Sequence, residues 1–393
     1  MKKNIIILAL AAFAAFFLLP SCKKDSIELE KGQSDGEYID DVLYDALCHF
    51  DPSDIKDLTD LIYEVMPVIE DDDFSFTAIT DQLEDYDGET NLFNHLSGVY
   101  DVTVPGLVRR IDLIPDIPHS IVIRYYDDDM LLSLLELTWD EATLKLDDFV
   151  IPRTIHFTLT RENVLLAEGD LTFKGDNQSL GEAMHISCKL SVKASGYLIS
   201  VNNLTVERSF KDEVSSIIQT VQGDITAQDV RVASVDLSVK EQSTTVKLSR
   251  ILIPRMVEPQ TKAKVYRNQS GTATVNVLNR LVAKYSYSSF EGDGPGSYST
   301  EEDAKAAAAN ANKYITCDLF YGASVRKHKS RDGEIRYGYF PDGSGYYVST
   351  FIAFKSDNFK GKSMDKFVED DLLKTKGRTM AITQYWRALY NGK

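Results

Sequence analysis

The chain has 393 residues, 43% of them hydrophobic and 26% charged, which excludes wholesale disorder and leaves room for two or three domains. A formal net charge of −17 disfavours a nucleic-acid-binding footprint, which would be basic, and argues against a polybasic membrane-binding face. Twenty Tyr and 18 Phe against two Trp favour strand-rich structure.

At the N-terminus, Lys2 and Lys3 precede an unbroken apolar run from Ile5 to Leu19. That run is shorter than the roughly 20 residues a spanning helix needs, and it fits the core of a signal peptide. The expected organisation is a signal peptide over 1–21, a tether over 22–36, a domain over 37–255 and a smaller domain over 260–393.

Leu19-Pro20-Ser21-Cys22 resembles the lipobox of bacterial lipoproteins, and Ser21 to Asp25 is similar to the start of many outer-membrane lipoproteins of Bacteroidota-type bacteria. The resemblance covers only about the first 25 residues. It implies cleavage before Cys22, a diacylglycerol thioether and N-acylation (palmitate-type chains) on Cys22, and a lipid-anchored outer-membrane location. Lys23 and Lys24 depart from the acidic surface-export pattern, so the periplasmic face and the cell surface both stay open. Asp25-Ser26-Ile27 resembles the short O-glycosylation motif of the same bacteria, making Ser26 a candidate acceptor. With Cys22 acylated, Cys48, Cys188 and Cys317 remain; their spacing shows no disulfide framework.

Along the mature chain, the apolar stripe of Glu37 to Phe50 and the Ser53-capped stripe that Pro67 ends predict a helical hairpin. From Val99 onward, alternating segments rich in Val, Ile, Thr, Tyr and Phe predict strands at 120–126, 131–138, 154–160, 164–173, 185–192, 197–206, 230–239 and 244–252. Turn signals such as Arg161-Glu162-Asn163 and Ala194-Ser195-Gly196 separate them. A helical stripe at Phe210 to Val221 predicts a crossover helix. Periodicity does not decide Gly271 to Tyr287. Ser299 and Glu302 have capping-box spacing ahead of an Ala-rich helix at 301–314. Strands follow at 316–325, 334–340 and 345–354, then a short helix at 364–373 and a closing strand at 379–390. The fold class is α+β: a helical hairpin, an antiparallel meander and a smaller C-terminal α+β unit.

No HExxH, GxSxG, P-loop, paired CxxC or Rossmann fingerprint is present, so no catalytic residue is assigned and the chain's status as an enzyme stays open. Asp127, Asp128 and Asp129 are a candidate calcium site, since clustered carboxylates at a strand end can hold that ion; charge runs are mostly solvated turns. The six histidines show no local metal-ligand spacing. Tyr337, Tyr339, Tyr346 and Tyr347 form an aromatic hairpin, with Tyr337 and Tyr339 on one face and Phe340 on the other. Aromatic faces suit sugar rings, and cross-strand packing is the alternative use. The expected role is binding or scaffolding at the outer membrane, with a glycan, lipid or envelope protein as partner. The alternatives are a carrier of a hydrophobic ligand, with Leu165, Ile199 and Val201 lining its cavity, and a hydrolase of glycans or envelope polymers.

Overall fold

The computed structural model describes residues 32–60, 86, 88–103, 107–110, 119–127, 130–146, 149–175, 184–211, 214–244, 267–289, 292–326, 330–343 and 345–390. Strand dominates. Helix α1 (Asp35–Leu47) and the short α2 (Leu92–His95) precede β1 (Gly98–Thr103), β2 (Leu107–Arg110), β3 (Ser120–Asp127) and β4 (Met130–Trp139). A small ribbon, β5 (Thr143–Leu146) with β6 (Phe149–Pro152), leads to β7 (Thr154–Arg161), β8 (Val164–Gly175), β9 (Met184–Ala194) and β10 (Tyr197–Lys211). Then come β11 (Val214–Ala227), β12 (Val230–Thr244), β13 (Arg267–Val277), β14 (Leu281–Ser288) and β15 (Gly296–Tyr298). Helix α3 (Glu301–Tyr314), β16 (Ile315–Tyr321), β17 (Gly333–Asp342), β18 (Gly345–Phe354), β19 (Lys362–Ser363), α4 (Met364–Asp370) and α5 (Leu373–Tyr390) complete the order.

The chain divides into two compact units. One comprises 53–223 and 242–267; the other comprises 1–52, 224–241 and 268–393, so α1 belongs to the unit of the C-terminal residues.

In the first unit, β3, β4, β7, β8, β9 and β10 pair antiparallel in succession. Two-residue turns set the hairpin registers. Glu162 and Asn163 both have positive φ, as do Ser195 and Gly196, which gives the turn handedness that matches strand twist. The antiparallel expectation fails at one edge: β1 pairs parallel with β3, from Gly98 opposite Ile121 to Thr103 opposite Tyr126. Tyr100, Val102, Ile121, Tyr125, Trp139 and Ile155 form the core of this unit.

The 210–221 helix is corrected to strand. Its apolar residues have helical spacing, but they sit among Val, Ser, Ile and Thr, whose branching at Cβ suits the pleat better than a helix, and they lie in β10 and β11. The predicted second helix is described only as far as residue 60, with helical turns at 56–60. Most of the predicted 244–252 strand lies outside the described residues.

In the second unit, β13, β14, β16, β17 and β18 pair antiparallel, so the undecided 271–287 segment is a hairpin. Helix α3 spans the predicted residues, with Thr300 rather than Ser299 as its cap, accepting from the Asp303 amide. The 316–325 strand ends at Tyr321 and passes into a 3₁₀ turn, Gly322–Arg326. The closing strand at 379–390 is corrected to helix α5. Ile382 and Trp386, four residues apart, share one helical face and pack with Leu47 and Phe50. Its β-favouring threonines are accommodated because Thr379 and Thr383 donate to the carbonyls four residues back, both at 2.9 Å.

Helix α1 begins at Asp35, inside the segment read as tether, because Ser34 and Glu37 form a complete capping box. Its buried face carries an acid: Asp40 is only 3% exposed. The Asp40 carboxylate accepts the backbone N–H groups of Lys374 and Thr375, both at 2.9 Å, and so caps the N-terminus of α5 from another helix. One turn further along α1, Asp45 pairs with the buried Arg280, whose guanidinium also lies 5.8 Å from the Tyr38 ring.

Replacing Asp40 with Ala strands two helix-terminal N–H groups. The expected loss is about 1–3 kcal/mol, against under about 0.5 kcal/mol for Asp365→Ala on exposed α4. Denaturant unfolding of the two variants measures it.

Candidate functional site

The second unit holds a cavity of about 570 Å³ where the inner ends of β16, β17 and β18 meet the first turn of α1. Its polar lining is Asp35, Tyr321, Ser324, Asp332, Lys355 and Ser356. Each arrives for a local reason. Asp35 is the first residue of α1, fixed by the Ser34 cap. Tyr321 ends β16 where Gly322, at φ 57°, turns the chain into the 3₁₀ segment. Asp332 precedes β17, and Lys355 and Ser356 follow β18.

The Asp332 carboxylate braces the floor. It accepts the Tyr321 amide at 3.1 Å and the Ser324 hydroxyl at 3.0 Å, while its backbone carbonyl accepts the Tyr321 hydroxyl at 3.2 Å and the Lys355 amide at 2.8 Å. Across the cavity the Ser356 hydroxyl donates to Asp35. Tyr321 is 3% exposed. Burial pushes its phenol above the usual range, and the bonded Asp35 carboxylate, with the charges of Asp332 and Asp357, pushes the same way. The phenol therefore stays a hydrogen-bond donor. The lining offers the hydroxyls of Ser324, Ser356 and Tyr321, the Lys355 ammonium and the Asp35 carboxylate, donors and acceptors suited to a hydroxyl-bearing ligand.

The four tyrosines of the aromatic hairpin divide between its faces. Tyr337, Tyr339 and Tyr346 pack with Tyr298 against Ala304, Ala307, Ala308 and Val348, beneath α3. Asn312 of that helix bonds both ways to the Tyr337 backbone at 2.8 Å, past Ile335 where β16 stops pairing with β17. Tyr339 donates to Glu301 at 3.1 Å. Tyr347 lies on the opposite face, 38% exposed, beside Phe340 at a ring separation of 5.9 Å; Phe351 adjoins Phe340 at 6.3 Å. Gly338 permits this, because a Cβ there would come within 2.7 Å of the Phe351 ring.

Cys22, Ser26, Asp128 and Asp129 lie outside the described residues, as do Glu70 to Asp73 and His328. Asp127 is the last residue of β3. Among the described residues no group of three or more His, Cys, Asp or Glu is placed to hold a metal ion. His156 and His185 form exposed cross-strand pairs with Asp170 at 3.0 Å and Glu207 at 3.3 Å. Cys188 and Cys317 are free thiols and Cys48 is buried; burial and the neighbouring Asp318 push the Cys317 thiol up to about 12. Leu165, expected to line a hydrophobic cavity, is 51% exposed near the start of β8.

The cavity residues carried no sequence signal. Asp35 and Ser356 are 321 positions apart, and only the fold brings them together. The chain matches no protein-family model, no curated protein and no solved structure.

The raised Tyr321 pKa carries a sign. Stability from burying the neutral phenol is complete below its ordinary value of 10.0 and is lost as pH rises above it. Tyr321→Phe, which cannot ionise, is expected to lose less stability than wild type above about pH 10, read by denaturant melts at stepped pH.

Proposed function

We propose that this is an exported, lipid-anchored protein of the cell envelope that binds a small, hydroxyl-bearing ligand of the saccharide class in the cavity at Asp35, Tyr321 and Ser356. The anchor rests on the N-terminal resemblance, which places the acyl chains on Cys22. The cavity's lining carries the ligand class. Sugar hydroxyls both donate and accept, and a rim of carboxylate, ammonium and hydroxyls meets both needs without a metal or cofactor. A volume near 570 Å³ falls within the range of small-molecule sites. A hydrophobic cargo would make no hydrogen bonds to this rim and would have to displace water from it, which disfavours the carrier reading for this cavity.

The test is a glycan array followed by calorimetric titration of the best binder. Asp35→Asn and Ser356→Ala are expected to weaken binding on the order of tenfold each, since each removes a hydrogen bond to ligand or rim. Equal affinity in both variants, or an array without a binder, contradicts the proposal.

A further inference from the structure

The net charge conceals a local reversal. From Leu372 to Lys393 the chain contains no Asp or Glu but five Lys and Arg: Lys374, Lys376, Arg378, Arg387 and Lys393. Most of this stretch is helix α5, whose 18 residues make it about 27 Å long. Ile382 fixes its inner side, being almost wholly buried. At 100° per residue, Leu373, Lys376, Met380, Gln384 and Arg387 fall on the opposite side within one narrow arc. Two of these are large apolar side chains left in water: Leu373 is 63% exposed and Met380 53%. With Val368 and Leu372, the last four of that stripe line a mainly apolar groove of about 380 Å³ between α4 and α5. Among the described residues no acidic one lines it; Asp365, Glu369 and Asp370 of α4 are exposed elsewhere.

The chain's own connectivity says what this face meets. The Gln33 side chain donates to Asp41 at 2.7 Å, and the same Asp41 carboxylate pairs with Lys374 in the first turn of α5. The segment leading back to Cys22 thus ends against α5. Lys23 to Gln33 can span at most about 40 Å, so an acylated Cys22 would hold the N-terminal end of α5 within that distance of a bilayer. Among the described residues no helix is long and apolar enough to cross a membrane. A cationic stripe with protruding Leu and Met side chains suits the headgroup layer instead.

We propose that the Leu373–Arg387 stripe of α5 docks on the anionic lipid surface that carries the anchor, with Lys376 and Arg387 on lipid phosphates and Leu373 and Met380 entering the headgroup boundary. This uses the anchor reading for the position of the membrane and is independent of the saccharide cavity.

The test uses the acyl-free chain from Lys23, which retains every described residue, and vesicles of phosphatidylglycerol with phosphatidylethanolamine or of phosphatidylcholine alone. Flotation is expected to recover the protein with the anionic vesicles only, and less of it as salt rises from about 0.05 to about 0.5 M. The Lys376→Glu/Arg387→Glu double variant is expected to partition at least about tenfold less. Lys305→Glu, on the exposed face of α3, should leave partitioning unchanged, and circular dichroism confirms that each variant folds. Equal recovery with phosphatidylcholine, no recovery with either lipid, or an equal loss in Lys305→Glu overturns the proposal; so does a dimer in sedimentation that Met380→Asp dissolves, which would assign the face to a second copy. Palmitate labelling of the full chain and of Cys22→Ala tests the anchor separately, so its failure is distinguishable from failure of the α5 face.

Discussion

A buried carboxylate organises the second unit. Asp40 sits inside α1, almost without solvent, and its two oxygens are taken by the first free N–H groups of α5. A buried acid needs compensation, and a helix N-terminus supplies both hydrogen-bond donors and a favourable dipole. The contact therefore fixes position as well as contributing energy: α5 must begin where Asp40 points. Asp45 with Arg280 and Tyr38 repeats the device one turn later, tying α1 to the turn between β13 and β14. Gly36 marks how close the approach is, since a Cβ there would lie 2.7 Å from an Asp371 oxygen.

The proposed activities both depend on that docking. Asp35 reaches the cavity because α1 lies against the ends of the C-terminal strands, and Asp41 meets Lys374 because the same helix lies along α5. The cavity and the α5 stripe thus share one support while presenting different chemistry: hydroxyls, a carboxylate and an ammonium in one, two cations with exposed Leu and Met side chains in the other. A protein held at a membrane by its N-terminus gains from a second, weaker contact, because the anchor raises the effective concentration of the basic face at the surface.

Much of the strand content was legible in the sequence because its signals are local. Alternation set β3, β4 and β7 to within a residue or two, and Glu162-Asn163 and Ser195-Gly196 announced their turns. Capping chemistry located α3 for the same reason. Errors arose where two periodicities competed or where tertiary contact decided. Residues 210–221 have helical spacing but strand composition, and the described ones lie in β10 and β11. Residues 379–390 have strand-favouring Thr, Ile, Tyr and Trp, yet Ile382 and Trp386 find their partners only on a helix packed against α1. Period two correctly separated Tyr337 and Tyr339 from Phe340, but could not say that α3 would cover the first pair. The cavity was illegible because its residues come from distant strand ends, and the basic stripe because averaging over an acidic chain erased it.

Hydrogen exchange read by mass spectrometry tests most directly whether α1 is an integral part of the C-terminal unit. If the Asp40 docking holds the unit together, the amides of residues 38–47 and 377–389 exchange with the same protection as those of β17 and β18, and Asp40→Ala lowers protection in both helices together. Exchange of 38–47 at the rate of a frayed terminus, with 377–389 and the strands still protected and unaffected by Asp40→Ala, would contradict the account.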